Sequence, residues 1–384
     1  MYQQAMRNRK TRVLHITSSL GVGGAETMLY RLVRELQGRD DQTHSIVTLT
    51  DNCSFDFAAI GVHVDVLDLK KAVNSLLGVM KLREMIRKYE PDVIQGWMYH
   101  GNLASTISSP SGIPVLWGIH HSLHDLKHEK LSIRFLIKAG AFLSLRKNTR
   151  KIVFCSENSK AHHIELGYPI EKSIVIPNGF DCIEFSPDEA SRLSSRRDLG
   201  FDEDHLVIGN FGRYHPVKDH ELLLRAFADV SIDVPKARMV LAGTGVSDTN
   251  TDLCNLIRKF GLADRIVLLG PRNDMPKLYN ALDLYALSSK SEAFPNVLGE
   301  ASACGVPSVT TDVGDASRIV GSTGCVVAPG SVDSLRDALR QLLMLDRSER
   351  VSLGNRARQY VVDSFALPVI ASAYGDLYIN SLNP

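Results

Sequence analysis

No Cys-x-x-Cys pair occurs anywhere in this 384-residue sequence. Its six cysteines (Cys53, Cys155, Cys182, Cys254, Cys304 and Cys325) are scattered, which argues against a zinc site or a disulfide framework and suits a reducing cytosol. No apolar run approaches the ~20 residues that a membrane-spanning helix requires. The basic start, with Arg7, Arg9, Lys10 and Arg12, leads into an apolar run too short for a secretory signal, broken by His15, Thr17 and Ser18. No Asp-x-Asp falls at a strand end where it would hold a divalent ion. Internal repeats, low-complexity tracts and coiled-coil heptads are also missing. Net charge is only +1, and no nucleic-acid partner is expected. The halves differ, however. Residues 1–180 hold 23 Lys+Arg against 16 Asp+Glu, and the remainder holds 21 against 27, giving +7 and −6. Either the two surfaces vary independently, or the first half meets an anionic surface.

What is present is a regular alternation of short β-branched runs with helical patterns. In the first half the runs are "RVLHIT", "HSIVTL", "VHVDVL", "DVIQGW", "PVLWGIH", "KIVFCS" and "SIVIP". In the second they are "LVIGNF", "RMVLAG", "RIVLLG", "LYAL", "PSVTT" and "CVVA". Segments such as "ETMLYRLVRELQ" and "HELLLRAFADV" between them have apolar positions at helical spacing. This is an α/β pattern of parallel strands covered on both faces. Thirteen candidate strands are too many for one ordinary open sheet, so two sheets are expected. The boundary is placed near "IPNGFDCIEFSPDEASRLSSRRDLG", read as a connector with an exposed Ser/Arg tract. The expected domains are residues 1–180 and 181–365. A C-terminal helix over 366–384, after a turn at Pro368, is expected to return to the first domain.

Several segments carry possible chemistry. In "SEAFPNVLGEA" (291–301), Pro295 suits the first residue of a helix and Gly305 its end. The amides of Asn296, Val297 and Leu298 would then form an anion site at the positive end of the helix dipole. Glu292 precedes that helix, and Glu300 lies one turn inside it. A carboxylate there can accept hydrogen bonds from sugar hydroxyls. Equally, Glu292 can be an acid complementing the dipole and Glu300 a solvated side chain. "NFGRYHPVKDHELLLRAF" places Arg213 and Lys218 after a strand-terminal glycine, before a helix capped by Asp219. Two cations at a strand's carboxyl end would neutralise a diphosphate. "SSLGVGGAETMLYRL" is a strand, a Gly-rich turn and a helix. A dinucleotide fingerprint fails there because residue 26 is Glu26, leaving a turn whose Gly23 and Gly24 backbone a ligand can approach. A tight structural turn is the competing reading. His120, His121 and His124 follow the strand of "PVLWGIHHSLHD". Alternating side-chain direction and the absence of a carboxylate at ligand spacing argue against metal, and one histidine facing a cleft fits better. Trp97, Tyr99 and His100 end another strand and suit the rim of an acceptor site.

Together these residues resemble the retaining glycosyltransferases of family 4, which have the GT-B fold of two facing Rossmann-like domains with a deep cleft. The resemblance covers nearly the whole chain. It rests on "GGAE" (23–26), "IHHS" (119–122), "IPNGFD" (176–181), "GRYHPVK" (212–218), "LAGTG" (241–245) and the E-x7-E pattern of Glu292 and Glu300. It implies that the Gly23–Gly24 turn approaches the donor phosphates. Arg213 and Lys218 would bind the diphosphate with the amides of Asn296, Val297 and Leu298. Glu292 would hold donor-sugar hydroxyls, Glu300 the ribose, and His120 would lie near the reacting sugar. His121 and Ser122 replace the acidic or aromatic residues that many members carry after that histidine.

The expected reaction moves a sugar, with retention, from a nucleotide-diphosphate donor to a hydroxyl of a saccharide or lipid-linked saccharide in bacterial surface polysaccharide synthesis. No cofactor or metal is expected. Rivals are a nucleotide-sugar epimerase of the same architecture and a non-catalytic nucleotide-sugar-binding protein. An NAD-dependent oxidoreductase is disfavoured by the failed glycine fingerprint. Finally, Leu126–Lys151 carries eight Lys+Arg against Glu129, with Lys130, Arg134 and Lys138 at four-residue spacing beside Leu131, Phe135, Leu136 and Phe142. It reads either as a domain-covering helix with a solvated cationic face or as a surface for an anionic membrane. A cytoplasmic protein, peripheral on the inner membrane, is expected.

Overall fold

Neighbouring residues on the central strands enter different cores, which is why these runs read as continuous apolar sequence. A computed structural model describes residues 9–21, 23–68, 76–123 and 130–382. Of the sequence candidates, Arg7, His124 and Leu126–Glu129 lie outside the described residues. The chain divides into two compact units, Met1–Gly179 with Leu367–Pro384, and Phe180–Ala366.

The first unit contains β1 (Thr11–Thr17), β2 (Gln42–Thr48), β3 (His63–Val66), β4 (Val93–Trp97), β5 (Val115–Ile119), β6 (Thr149–Phe154) and β7 (Ser173–Val175). They form one parallel sheet in the order β3-β2-β1-β4-β5-β6-β7. Val13, Ile46, Val93 and Leu116 enter one core with Leu29, Leu32, Tyr374 and Tyr378. Their neighbours Leu14, Val47, Ile94 and Trp117 enter the other with Leu82, Ile86 and Ile137. The second unit contains β8 (Leu206–Phe211), β9 (Ala237–Ala242), β10 (Ile266–Leu268), β11 (Leu284–Leu287), β12 (Ser308–Thr311) and β13 (Cys325–Val327). Its parallel order is β10-β9-β8-β11-β12-β13. Both are Rossmann-like sheets, and the thirteen strands among the described residues are those expected from the sequence. Strand order reverses beside β1 and β8, so ligands should collect at the carboxyl ends of β1 and β4 in one unit and of β8 and β11 in the other. Among the described residues no helix is long and apolar enough to cross a membrane.

Two local readings are corrected. The Ser/Arg tract is not an exposed connector, because Glu189–Asp198 is a helix whose first amides donate to Asp188. Arg196, 2% exposed, reaches from it to Asp283 at 3.0 Å and to the carbonyls of Ala281, Asp202 and His205. Burial of one long polar side chain breaks the helical hydrophobic pattern that sequence reading depends on. Pro368 makes no turn either. It occupies the first turn of the Leu367–Asn380 helix, where no intrahelical amide bond is lost. That helix begins one residue after the Arg347–Phe365 helix ends and packs on the Gly24–Gln37 helix of the first unit.

Candidate functional site

In the second unit the ends of β8 and β11 are tied together. Val217 accepts from the Lys290 amide at 2.7 Å, and the Lys218 carbonyl accepts from the Ser288 hydroxyl at 2.8 Å. This holds the Arg213–Lys218 loop beside Glu292. The Lys218 ammonium donates to Glu292 Oε1 at 2.5 Å, and the Ser289 hydroxyl donates to the same oxygen at 2.7 Å. Cation and acid, assigned separately to diphosphate and sugar, are therefore direct partners. Arg213 is exposed and has no ion-pair partner among the described residues. Asp219 stands at the start of the His220–Asp233 helix but does not cap it. Its backbone is left-handed (φ 47°), its side chain bonds no helix amide, and its carboxylate pairs with Lys290 at 3.3 Å.

Helix Asn296–Ala303 follows, with Pro295 one position earlier than expected, as its cap. Gly305 ends it at φ +74°. Of the three amides assigned to an anion, that of Leu298 is committed elsewhere, since it donates to the Pro295 carbonyl at 3.1 Å. The bond spans three residues rather than four, so a tightened first turn takes up this amide. Asn296 and Val297 open the helix. Glu300, inside it, accepts from the hydroxyl of fully buried Tyr279 at 3.1 Å, and burial followed by that carboxylate pushes the phenol pKa up. Phe180 and Phe294 stack at 6.0 Å beneath the helix, and a Cβ on Gly299 would strike the Phe180 ring. Gly314, at φ +56°, lies where a Cβ would strike the carbonyls of Glu292 and Ala293.

In the first unit the Gly24–Gln37 helix begins directly at the Gly-rich turn, with Gly24 exposed and Gly23 at the cap position. The Glu26 carboxylate lies over Gly23, where any Cβ would meet it. A phosphate approaching this turn has to displace that acid. His120 follows β5. Its Nδ1–H donates to Asn178 Oδ1 at 2.9 Å, and its ring stacks on Trp97 at 5.2 Å. Nε2 is left bare, buried and without a partner among the described residues. Burial pushes the His120 pKa down to about 4, opposed by the Asn178 bond, so the ring is neutral near pH 7.

The acceptor-rim reading of Trp97 and Tyr99 is overturned. Trp97 is 1% exposed, and its Nε1–H donates to His15 Nδ1 at 3.1 Å. His15 Nε2 is thereby the protonated nitrogen and donates to His44 Nδ1 at 3.0 Å. Tyr99, also buried, shares its hydroxyl with His163 Nε2 at 2.9 Å and His121 Nδ1 at 3.2 Å. Met98, in left-handed conformation (φ 57°), turns β4 straight into the Met98–Ser108 helix, which sends these rings into the cores. His100 lines an apolar cavity instead, and burial lowers its pKa. Sequence reasoning assigned no role to Asn178, Ser289, Tyr279 or Gly314. Asn178 and the Ser289-x-x-Glu292 spacing were visible signals, whereas Tyr279 and Gly314 are brought in only by folding. Among the described residues no group of three or more His, Cys, Asp or Glu is placed to hold an ion.

Two families match in tandem: Glycosyltransferase Family 4 over residues 22–184, and Glycosyl transferases group 1 over residues 191–360. EpsF of Bacillus subtilis (strain 168) is 26% identical over 325 residues, 80% of each chain. The D-inositol 3-phosphate glycosyltransferase of Actinosynnema mirum is 33% identical over 218 residues, 53% of this chain and 52% of that one. Among solved structures, Anabaena Alr3699/HepE in complex with UDP and glucose superposes with TM-score 0.82 at 24% identity, covering 96% of this chain and all of the other. WaaG, a glycosyltransferase involved in lipopolysaccharide biosynthesis, superposes with TM-score 0.73 at 17% identity over 96% and 99%. The two domains, the strand-end residues and the tandem match make this chain a GT-B glycosyltransferase of family 4.

Proposed function

We propose that the enzyme moves a sugar, with retention, from a nucleoside-diphosphate donor to a hydroxyl of a lipid-linked saccharide in bacterial surface polysaccharide synthesis, working on the cytoplasmic face of the membrane. The observation that carries this reading is the Lys218–Glu292–Ser289 cluster beside the opening of the Asn296–Ala303 helix. Both contacts on Glu292 fall on Oε1, so Oε2 is available to a sugar hydroxyl. Arg213, Lys218 and the amides of Asn296 and Val297 meet the charge that builds on the departing diphosphate, which is where preorganised donors accelerate transfer most. Glu300 holds the ribose. The family resemblance assigns His120 to the reacting sugar, and Asn178 fixes its ring by accepting from Nδ1–H. The HepE relative is described with UDP and glucose, which favours a uridine donor here.

The test is thermal stabilisation by a panel of nucleotide sugars, since a ligand present at 100 times its Kd stabilises by about 2.7 kcal/mol. The stabilising donor is then incubated with lipid-extracted acceptor in EDTA. Product with retained anomeric configuration is expected. An isomer of the donor formed without acceptor would make the protein an epimerase, and binding without turnover would make it a carrier. Activity restored only by Mg²⁺ or Mn²⁺ would overturn the metal-free scheme.

A further inference from the structure

Three helices of the first unit enclose an apolar cavity that the transfer reaction does not use. It has a volume of about 170 Å³ and lies among the Leu76–Tyr89, Met98–Ser108 and Leu131–Ser144 helices. Val79, Leu82, Leu103, Leu136 and Leu143 form much of its wall, and among the described residues the polar side chains on it are His100 and Ser108. Sugars and nucleotides would leave their hydroxyls and phosphates unpaired against this lining. An apolar chain would not.

The mouth is marked by Phe135 and Ile107, which line the cavity and are 71% and 37% exposed. Leu131 and Phe142, four residues before and seven after Phe135, share its helix face at 79% and 74% exposure. Leu76 and Met80 add a second exposed apolar turn, at 77% and 58%. A water-facing surface of this kind marks an interaction site. Its charge says with what. The three helices carry Lys81, Arg83, Arg87, Lys88, Arg134 and Lys138 against the single acid Glu84. Arg83 is held at the rim by a 3.1 Å hydrogen bond to the Ile107 carbonyl, and Lys138 is exposed one turn from Phe135.

We propose that this cavity takes the hydrocarbon chain of an anionic membrane lipid, with Arg83 and Lys138 meeting its headgroup. The proposal rests on the membrane reading above, but its test needs no membrane. The full chain is incubated with cis-parinaric acid, which saturated fatty acids of increasing length then displace below their micelle concentrations. Each buried methylene should improve competition about fourfold. The gain should stop at a definite length, because the cavity is finite. A rise that never levels would mean surface partitioning and overturn the site. Ala139→Trp and Ala104→Phe place bulk in the cavity and should weaken displacement at least tenfold, while fold integrity is followed by melting. Wild-type affinity in both would also overturn it. If either variant melts early, the length plateau of the unaltered protein decides. A dimer in sedimentation velocity that Phe135→Glu dissociates would give the face to a second copy instead. Charge reversal at Lys130 and Arg134, neither of which meets the headgroup, should weaken binding to anionic vesicles while leaving chain binding in solution, so the two readings fail separately.

Discussion

Lys218 and Glu292 compensate each other's charge at 2.5 Å with side chains only 23% and 16% exposed. Removing one strands the other. Lys218→Ala should lower turnover by on the order of 10²–10³, the usual loss when one donor to leaving-group charge is removed. Near-normal turnover at saturating donor would exclude Lys218 from the diphosphate. Lys218→Met should also melt earlier than the double variant Lys218→Met/Glu292→Gln, in which no partly buried carboxylate lacks a partner. The histidines set the pH response. His44, His120, His163 and His220 are each pushed down to about 4, burial being the main cause. Between pH 4 and 6.5 the unfolded chain binds protons that the native state refuses. Stability is therefore complete above about pH 6.5 and falls as pH drops toward 4, by up to about 1.4 kcal/mol per pH unit for each group. Melting temperatures across that range check the sign; a flat profile contradicts it.

At the scale of elements, the Glu189–Asp198 helix is fixed through Arg196. Asp283, its partner, also binds Arg192 at 3.0 Å and accepts from the Val207 amide at 2.8 Å, so it joins the helix to the start of β8 and β11. Arg196→Met should cost about 3–5 kcal/mol in urea unfolding, the loss expected when one member of a buried pair is removed. A change under 1 kcal/mol would show that Arg192 alone suffices. The Leu367–Asn380 helix is held by different means. Ile370, Ala371, Tyr374 and Tyr378 are buried in the core of the first unit, and the hydroxyls of both tyrosines are without partners among the described residues. The rings, not the hydroxyls, supply its stability.

For the whole molecule, one helix of the first unit joins cations to exposed apolar groups. The Leu131–Ser144 helix buries Ile137, Gly140 and Ser144 and turns Leu131, Phe135, Lys138 and Phe142 outward. Cations beside exposed apolar groups attract an anionic leaflet, each contributing about 1 kcal/mol near the surface. Co-sedimentation with anionic vesicles at low salt is expected, along with release by salt and by glutamate at Lys130, Arg134 and Lys138. Equal recovery in the supernatant with anionic and neutral vesicles would make this an ordinary solvated helix.

Much of this protein follows from local pattern. Strand–helix alternation dictated the two parallel sheets, because period and β-branching act within a few residues. The glycines and the spacing of Glu292 and Glu300 marked the strand ends for the same reason. Direction and burial were decided elsewhere. Trp97 and Tyr99 read as rim residues until Met98 turned β4 into a helix and their polar atoms found His15, His121 and His163, tens of residues away. Arg196 read as exposed until Asp283, the distant Ala281 carbonyl and the nearby carbonyls of Asp202 and His205 enclosed it. Lys218 and Glu292 are 74 positions apart, and only the tie between β8 and β11 makes them a pair. Sequence determines which groups a strand end can offer; the tertiary structure decides which of them already have partners, because a buried polar atom takes whatever partner folding brings within about 3 Å.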